Sequence, residues 1–222
     1  MRKQGLMALL AAGAIALVAA TAGAKIQGTH HDFGLPSSTE EICRPCHTPH
    51  NADASVRDAP LWNHQVTTAS FTAYTSPTTD AAIGQPSGVT KLCLSCHDGT
   101  VAVDSFEGVT GTWKITFPRA LIGTDLTRHH PVSFAYDSNL AARDGELWDP
   151  ATAPSGLGGT IAKDLLRNGR LECVSCHDVH VSRGTDSCFD CHFVHGGPIY
   201  GETVSLWKSN AQSALCLTCH KK

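Results

Sequence analysis

The sequence has no cysteine outside five short pentapeptides, no methionine beyond Met7, no apolar run of bilayer length, no basic cluster and no long amphipathic stretch. Each absence excludes something. With all ten cysteines inside the same repeated unit, none remains for a long-range disulfide or a free thiol. The one apolar run, Leu6 to Ala20, is shorter than the ~20 residues that span a bilayer. Seventeen Lys and Arg against twenty Asp and Glu, with no positive patch, argue against a nucleic-acid or anionic-membrane partner. No heptad pattern persists, which excludes a coiled coil.

What is present begins with an export signal. Arg2 and Lys3 form a basic start, the apolar run follows, and Ala22-Gly23-Ala24 closes it as a small-residue cleavage site. Residues 1–24 therefore read as a signal peptide, with the mature chain starting at Lys25. No Cys stands directly after the apolar run, so no lipid anchor is expected, and the short run with its small-residue end argues against a membrane anchor.

The five pentapeptides are Cys43-Arg-Pro-Cys46-His47, Cys93-Leu-Ser-Cys96-His97, Cys173-Val-Ser-Cys176-His177, Cys188-Phe-Asp-Cys191-His192 and Cys216-Leu-Thr-Cys219-His220. C-x-x-C-H is the attachment signature of a c-type haem. The two thiols form thioethers with the haem vinyl groups, and the following His becomes the proximal iron ligand. All ten cysteines are thus predicted thioether residues. His47, His97, His177, His192 and His220 are the predicted proximal ligands of five covalently attached haems. Zinc is the competing reading, but five Cys pairs do not divide into Cys₄ sites, and zinc ribbons have no use for a His after every second Cys. Successive C-x-x-C disulfides would staple nothing long.

Five haems in residues 25–222 leave about 40 residues for each. The first cysteines are spaced 50, 80, 15 and 28 residues apart, which excludes a regular solenoid. Gly (20) and Pro (11) are frequent, and the apolar residues are scattered. The expected fold is a single pentahaem cytochrome c domain, mostly coil with short helices and few short strands. It is built around a stacked haem chain that replaces a separate apolar core. A short helical turn should lie under each motif. Ser38 to Glu41 reads as a helix start, 110–117 as a short strand, 161–167 as a helix, and 169–172 as an extended entry to the third motif. Trp62, Trp113, Trp148 and Trp207 read as haem-packing residues.

A low-spin haem needs a sixth ligand. Met1 and Met7 leave with the signal peptide, so distal Met is excluded and bis-His ligation with low potentials is expected. Eight histidines lie outside the motifs and fall in six places. His50, His180 and His195 each stand three residues after a proximal His. From there a ring reaches a neighbouring haem, not the far side of its own. His64 stands alone. In the doublets the second member is the candidate: His31 precedes Asp32, a possible acceptor for its ring, and His130 precedes the stiff Pro131. Six places for five irons leave no iron open to substrate, so no catalytic site is expected. Without the two leading cations the formal charge is −5, and the propionates make the loaded protein more acidic still.

The segments 43–51 (Cys-Arg-Pro-Cys-His-Thr-Pro-His-Asn), Leu61-Trp-Asn-His64, 93–99 (Cys-Leu-Ser-Cys-His-Asp-Gly), His130-Pro-Val-Ser-Phe134 and 173–180 (Cys-Val-Ser-Cys-His-Asp-Val-His) resemble doubled-CXXCH multihaem cytochromes. They are most similar to the extracellular filament-forming, or nanowire, cytochromes of metal-reducing bacteria. That resemblance covers His31 to His180. It implies bis-His haems stacked in parallel and T-shaped pairs, and a histidine of one subunit ligating a haem of the next, for which His31 is the candidate. It also implies redox partner cytochromes, a homo-oligomer or filament, and an extracellular metal oxide as terminal acceptor. The fourth motif departs from that plan and looks like an addition, with His195 as its extra distal ligand. The expected role is electron transfer at the cell surface or outside it. A soluble periplasmic shuttle is the alternative, and a haem reductase of small nitrogen or sulfur oxides the third reading.

Overall fold

The computed structural model describes residues 26, 30–33, 42–180, 206–208 and 210–221. The signal peptide, the helix start at 38–41, the fourth motif and His195 lie outside the described residues. Among the described residues the longest helix is α1, Gly88–His97. The other regular elements are β1 (Phe134–Ala135), α2 (Ser138–Asp144), α3 (Ile161–Asp164), β2 (Arg170–Leu171) and α4 (Cys216–Cys219), with 3₁₀ turns at Cys173–Ser175 and Ala211–Ser213. Everything else described is turn and coil, as the composition leads one to expect. No described helix is long and apolar enough to cross a membrane.

The helix α1 organises the first half. Leu92 packs with Val56 and Trp62, while Leu94 packs with Phe71 and Leu126. Both leucines are buried, so the helix is covered on two sides. Its start has no side-chain cap, and its end is closed by amide bonds from Asp98 to Leu94 O and from Gly99 to Cys96 O. Gly99 sits at φ +74, a left-handed conformation that glycine adopts without a Cβ penalty.

The second half departs from the sequence reading. Phe134, Tyr136, Leu140, Ala141, Ile161, Leu165, Leu166 and Leu171 form one buried cluster that contains no motif residue. A separate apolar core therefore exists, contrary to the expectation that the haem chain would supply the only one. It is assembled from small pieces. Strands β1 and β2 pair antiparallel, Phe134 opposite Leu171. The carboxylate of Asp137 caps α2 by accepting from Leu140 N–H, and Gly145 ends the helix at φ +76. Thr160 caps α3 in the same way through Lys163 N–H.

The helix expected over 161–167 stops at Asp164. The reason is the Asn168-Gly169 pair. Both residues have positive φ, and Arg167 and Arg170 exchange backbone hydrogen bonds of 3.0 and 2.9 Å across them. That is a two-residue hairpin turn of the type Asn-Gly favours, and it turns the chain into β2. The extended entry to the third motif is thus present as β2. The strand expected over 110–117 is absent. There the amides of Thr112 and Trp113 donate to the Asp104 carboxylate, both at 2.9 Å, so a side chain takes the bonds that a ladder would need.

Candidate functional site

Four of the five motifs lie in the described residues, and each is a single helical turn. The amide of the motif His donates to the carbonyl of the first Cys at 2.9 Å in His47, 3.1 Å in His177 and 3.0 Å in His220. The second motif ends α1 itself. Positions i, i+3 and i+4 share one face of a helix, so Cys93, Cys96 and His97 point the same way while Leu92 and Leu94 are buried elsewhere. Only this local geometry lets two thiols and an imidazole address one planar ring.

Each turn is held by a different segment. The first is fixed by Asn63, whose side-chain amide donates to Arg44 O at 2.6 Å, and by the paired Arg44 and Glu107 side chains. The third is clipped by Trp207, which donates its indole N–H to Val174 O at 2.7 Å and its amide to Cys176 O at 3.1 Å. The fifth lies against the apolar core through Cys219, and Trp148 N–H donates to Cys219 O at 2.8 Å. Of the four tryptophans, Trp62 and Trp207 thus pack with the motif turns, whereas Trp113 and Trp148 are exposed.

The histidines come together in pairs. The ring centres of His47 and His180 are 6.1 Å apart, those of His31 and His97 5.9 Å, and those of His130 and His220 6.3 Å. An imidazole nitrogen binds a transition metal at about 2 Å, and roughly 1 Å more separates it from its ring centre. Two rings sharing one iron therefore stand about 6 Å apart. All three pairs fit, and each joins one predicted proximal His to one predicted distal His. Their interplanar angles of 22°, 49° and 74° are all permitted, because each ring can turn about its own nitrogen–iron bond.

The ring nitrogens are also sorted. His47 Nδ1 lies 2.6 Å from Pro60 O, His97 Nδ1 2.7 Å from Ala120 O, His130 Nδ1 2.8 Å from Pro131 O, and His180 Nδ1 3.1 Å from an Asp178 carboxylate oxygen. With the proton held at Nδ1, Nε2 is left as the lone-pair donor that an iron needs. Burial and the neighbouring His97 lower the pKa of His31 from 6.5 to about 4, which keeps that ring neutral and able to ligate.

His50 and His64 are placed differently. His50 is exposed. His64 is buried, with Nδ1 2.8 Å from Gln65 O, Nε2 2.9 Å from Ala102 O, and Nε2 3.5 Å from Cys96 Sγ. Among the described residues neither has a ring contact with a proximal histidine. A ligand role for His64 would require Nε2 to exchange the Ala102 carbonyl for iron.

The environment of three motif sulfurs suits thioethers. Burial pushes the Cys46 thiol up to about 11, Cys96 to about 12 and Cys219 to about 11, with nearby Cys43, Cys46 and Asp98 charges adding to the effect for the first two. Such sites disfavour thiolate, the form that zinc requires, and accept a neutral sulfur–carbon bond. Among the described residues no group of three or more His, Cys, Asp or Glu is arranged to hold a bare metal ion.

Sequence reasoning did not find the residues that brace these turns. Asp98, directly after His97, is buried and accepts from Thr67 Oγ1 at 2.6 Å, Thr100 N at 2.6 Å and Thr100 Oγ1 at 2.8 Å. Glu172, directly before Cys173, is buried and accepts from Ser133 Oγ at 2.9 Å, while its amide donates to Ser175 Oγ at 2.9 Å. Their local bonds to Thr100 and Ser175 are ordinary turn and cap contacts, and the partners that tie them to distant chain, Thr67 and Ser133, are 31 and 39 residues away, where no local signal marks them. The carbonyl acceptors of the His rings carry no side-chain signature at all.

Residues 180–222 match the family described as the doubled CXXCH motif. This stretch holds the fourth and fifth motifs, the part that the nanowire resemblance of 31–180 does not cover. No curated protein matches the chain. The match supports a multihaem c-type cytochrome with covalently attached haem, hence a role in electron transfer.

Proposed function

We propose that the chain is an exported cytochrome carrying five bis-His c-type haems and that it conducts electrons to an acceptor outside the cell. One observation carries the reading: three motif histidines each face a non-motif histidine at the separation of two rings on one iron. Bound haem supplies a one-electron ferric/ferrous couple; the chain's residues decide how it is held. The cysteines anchor each ring at two points. His47 with His180, His97 with His31, and His220 with His130 close both faces of three irons. His177 and His192 then draw on His50, His64, His195 or a neighbouring subunit.

His31 faces a motif histidine of its own chain, which favours His50, exposed at the surface, over His31 as a ligand lent to a neighbour. Closed axial positions favour electron transfer over catalysis, and the lack of distal Met favours low potentials. Mass spectrometry of the exported protein should give five haems. Its ferric form should show low-spin signals only, with no spectral shift on adding cyanide. A count of four, or a high-spin signal in the native protein, would overturn the five-haem bis-His reading. Negative-stain microscopy of culture supernatant separates a filament or surface conduit from a periplasmic shuttle, which would leave no filaments.

A further inference from the structure

The structure assigns to Cys93 and Cys173 the contact between the second and third haems. The inference rests on the haem reading above and adds a junction to it.

The two residues open different motifs and lie 80 positions apart, yet the fold sets the third motif against the helix turn that carries Cys93. The meeting is built into the backbone. Helix α1 packs directly on the 3₁₀ turn Cys173–Ser175. The buried Thr90, three residues before Cys93, accepts the Cys173 amide with Oγ1 at 3.1 Å. Glu172 Oε1 comes so close to Gly88 that a Cβ there would sit 3.1 Å from it. Ser133 links the two sides from above: Ser87 N–H donates to its hydroxyl at 3.1 Å, and that hydroxyl lies 2.9 Å from the Glu172 carboxylate. Five buried or half-buried groups thus hold the first turn of α1 against the third motif.

In the loaded protein both sulfurs would be thioethers, each bonded directly to a former vinyl carbon of its own haem. Sulfurs in contact bring the two vinyl-bearing edges together, with no polypeptide between them. One electron then passes between the iron held by His97 and the iron held by His177; no bond forms or breaks and no proton moves. Neighbourhood in the sequence does not set this junction, since the third motif is much closer in sequence to the fourth. Thr90 is a positioning residue, acting through the Cys173 amide.

Electron paramagnetic resonance of the oxidised holoprotein tests the junction, with haems counted by mass spectrometry in the same samples. The wild type should show one magnetically coupled pair of low-spin haems. Thr90→Val should weaken that coupling at unchanged haem count, and Thr90→Ser should restore it. Coupling that survives Thr90→Val unchanged would overturn the assignment. Should Thr90→Val fail to mature, a cryo-electron microscopy map of the native holoprotein decides. Cys93 and Cys173 sulfurs near the ~4 Å of van der Waals contact support the junction, and a separation of about twice that overturns it. A protein with no haem would instead overturn the underlying reading, so the two failures are told apart.

Discussion

At the scale of single residues the chemistry is one of selection between two ring nitrogens. A neutral histidine ligates iron through the nitrogen that lacks the proton, and here backbone carbonyls or a carboxylate accept the Nδ1–H bond of His47, His97, His130 and His180. His180 is the clearest test. His180→Ala should leave the haem count unchanged and open the iron above His47, giving a high-spin ferric signal and cyanide binding. His180→Met should stay low-spin and raise the midpoint potential of one haem, as thioether ligation does. The buried Asp98 offers a second test. Thr67→Val removes one of its three hydrogen-bond donors without changing side-chain volume much. The expected loss is about 1–3 kcal/mol in denaturant unfolding of the holoprotein, the range for a buried group left short of a partner.

At the scale of elements the helices are short, and α2 and α3 each begin on a specific side-chain cap. Without length, propensity contributes little, and capping and packing decide whether a turn forms. Asp137→Ala removes the α2 cap and should lower stability by about 1 kcal/mol, while Asp137→Ser should recover most of it, both read by thermal unfolding. Ile161 is fully buried in the apolar core of the second half. Ile161→Ala should cost about 2–5 kcal/mol and loosen the fifth motif, since Cys219 packs on the same cluster. That core went unseen in the sequence because its members come from four short elements of two to seven residues and the turns beside them. Periodicity needs a longer run than that to be legible. The Asn168-Gly169 turn, which the helix expected over 161–167 passed over, explains why α3 ends early.

For the whole molecule, the five-haem reading makes each covalent site separately testable. Replacing both Cys188 and Cys191 with Ser should remove one haem by mass and leave the remaining four with unchanged low-spin spectra. Loss of further haems would show that the fourth site supports its neighbours. The sequence by itself pointed to covalent haem and proposed its attachment residues and proximal ligands, because C-x-x-C-H is a local device: one helical turn brings all three groups to one side. With Met1 and Met7 as its only methionines, it also pointed to histidine for the distal ligands. Only the tertiary structure decided which histidine faces which. His31 with His97 spans 66 positions, His47 with His180 spans 133, and His130 with His220 spans 90. Such pairings are set by how loops are held by Pro60 O, Ala120 O, Asp98 and Glu172. Those contacts depend on chain path and carry no signature in the order of residues.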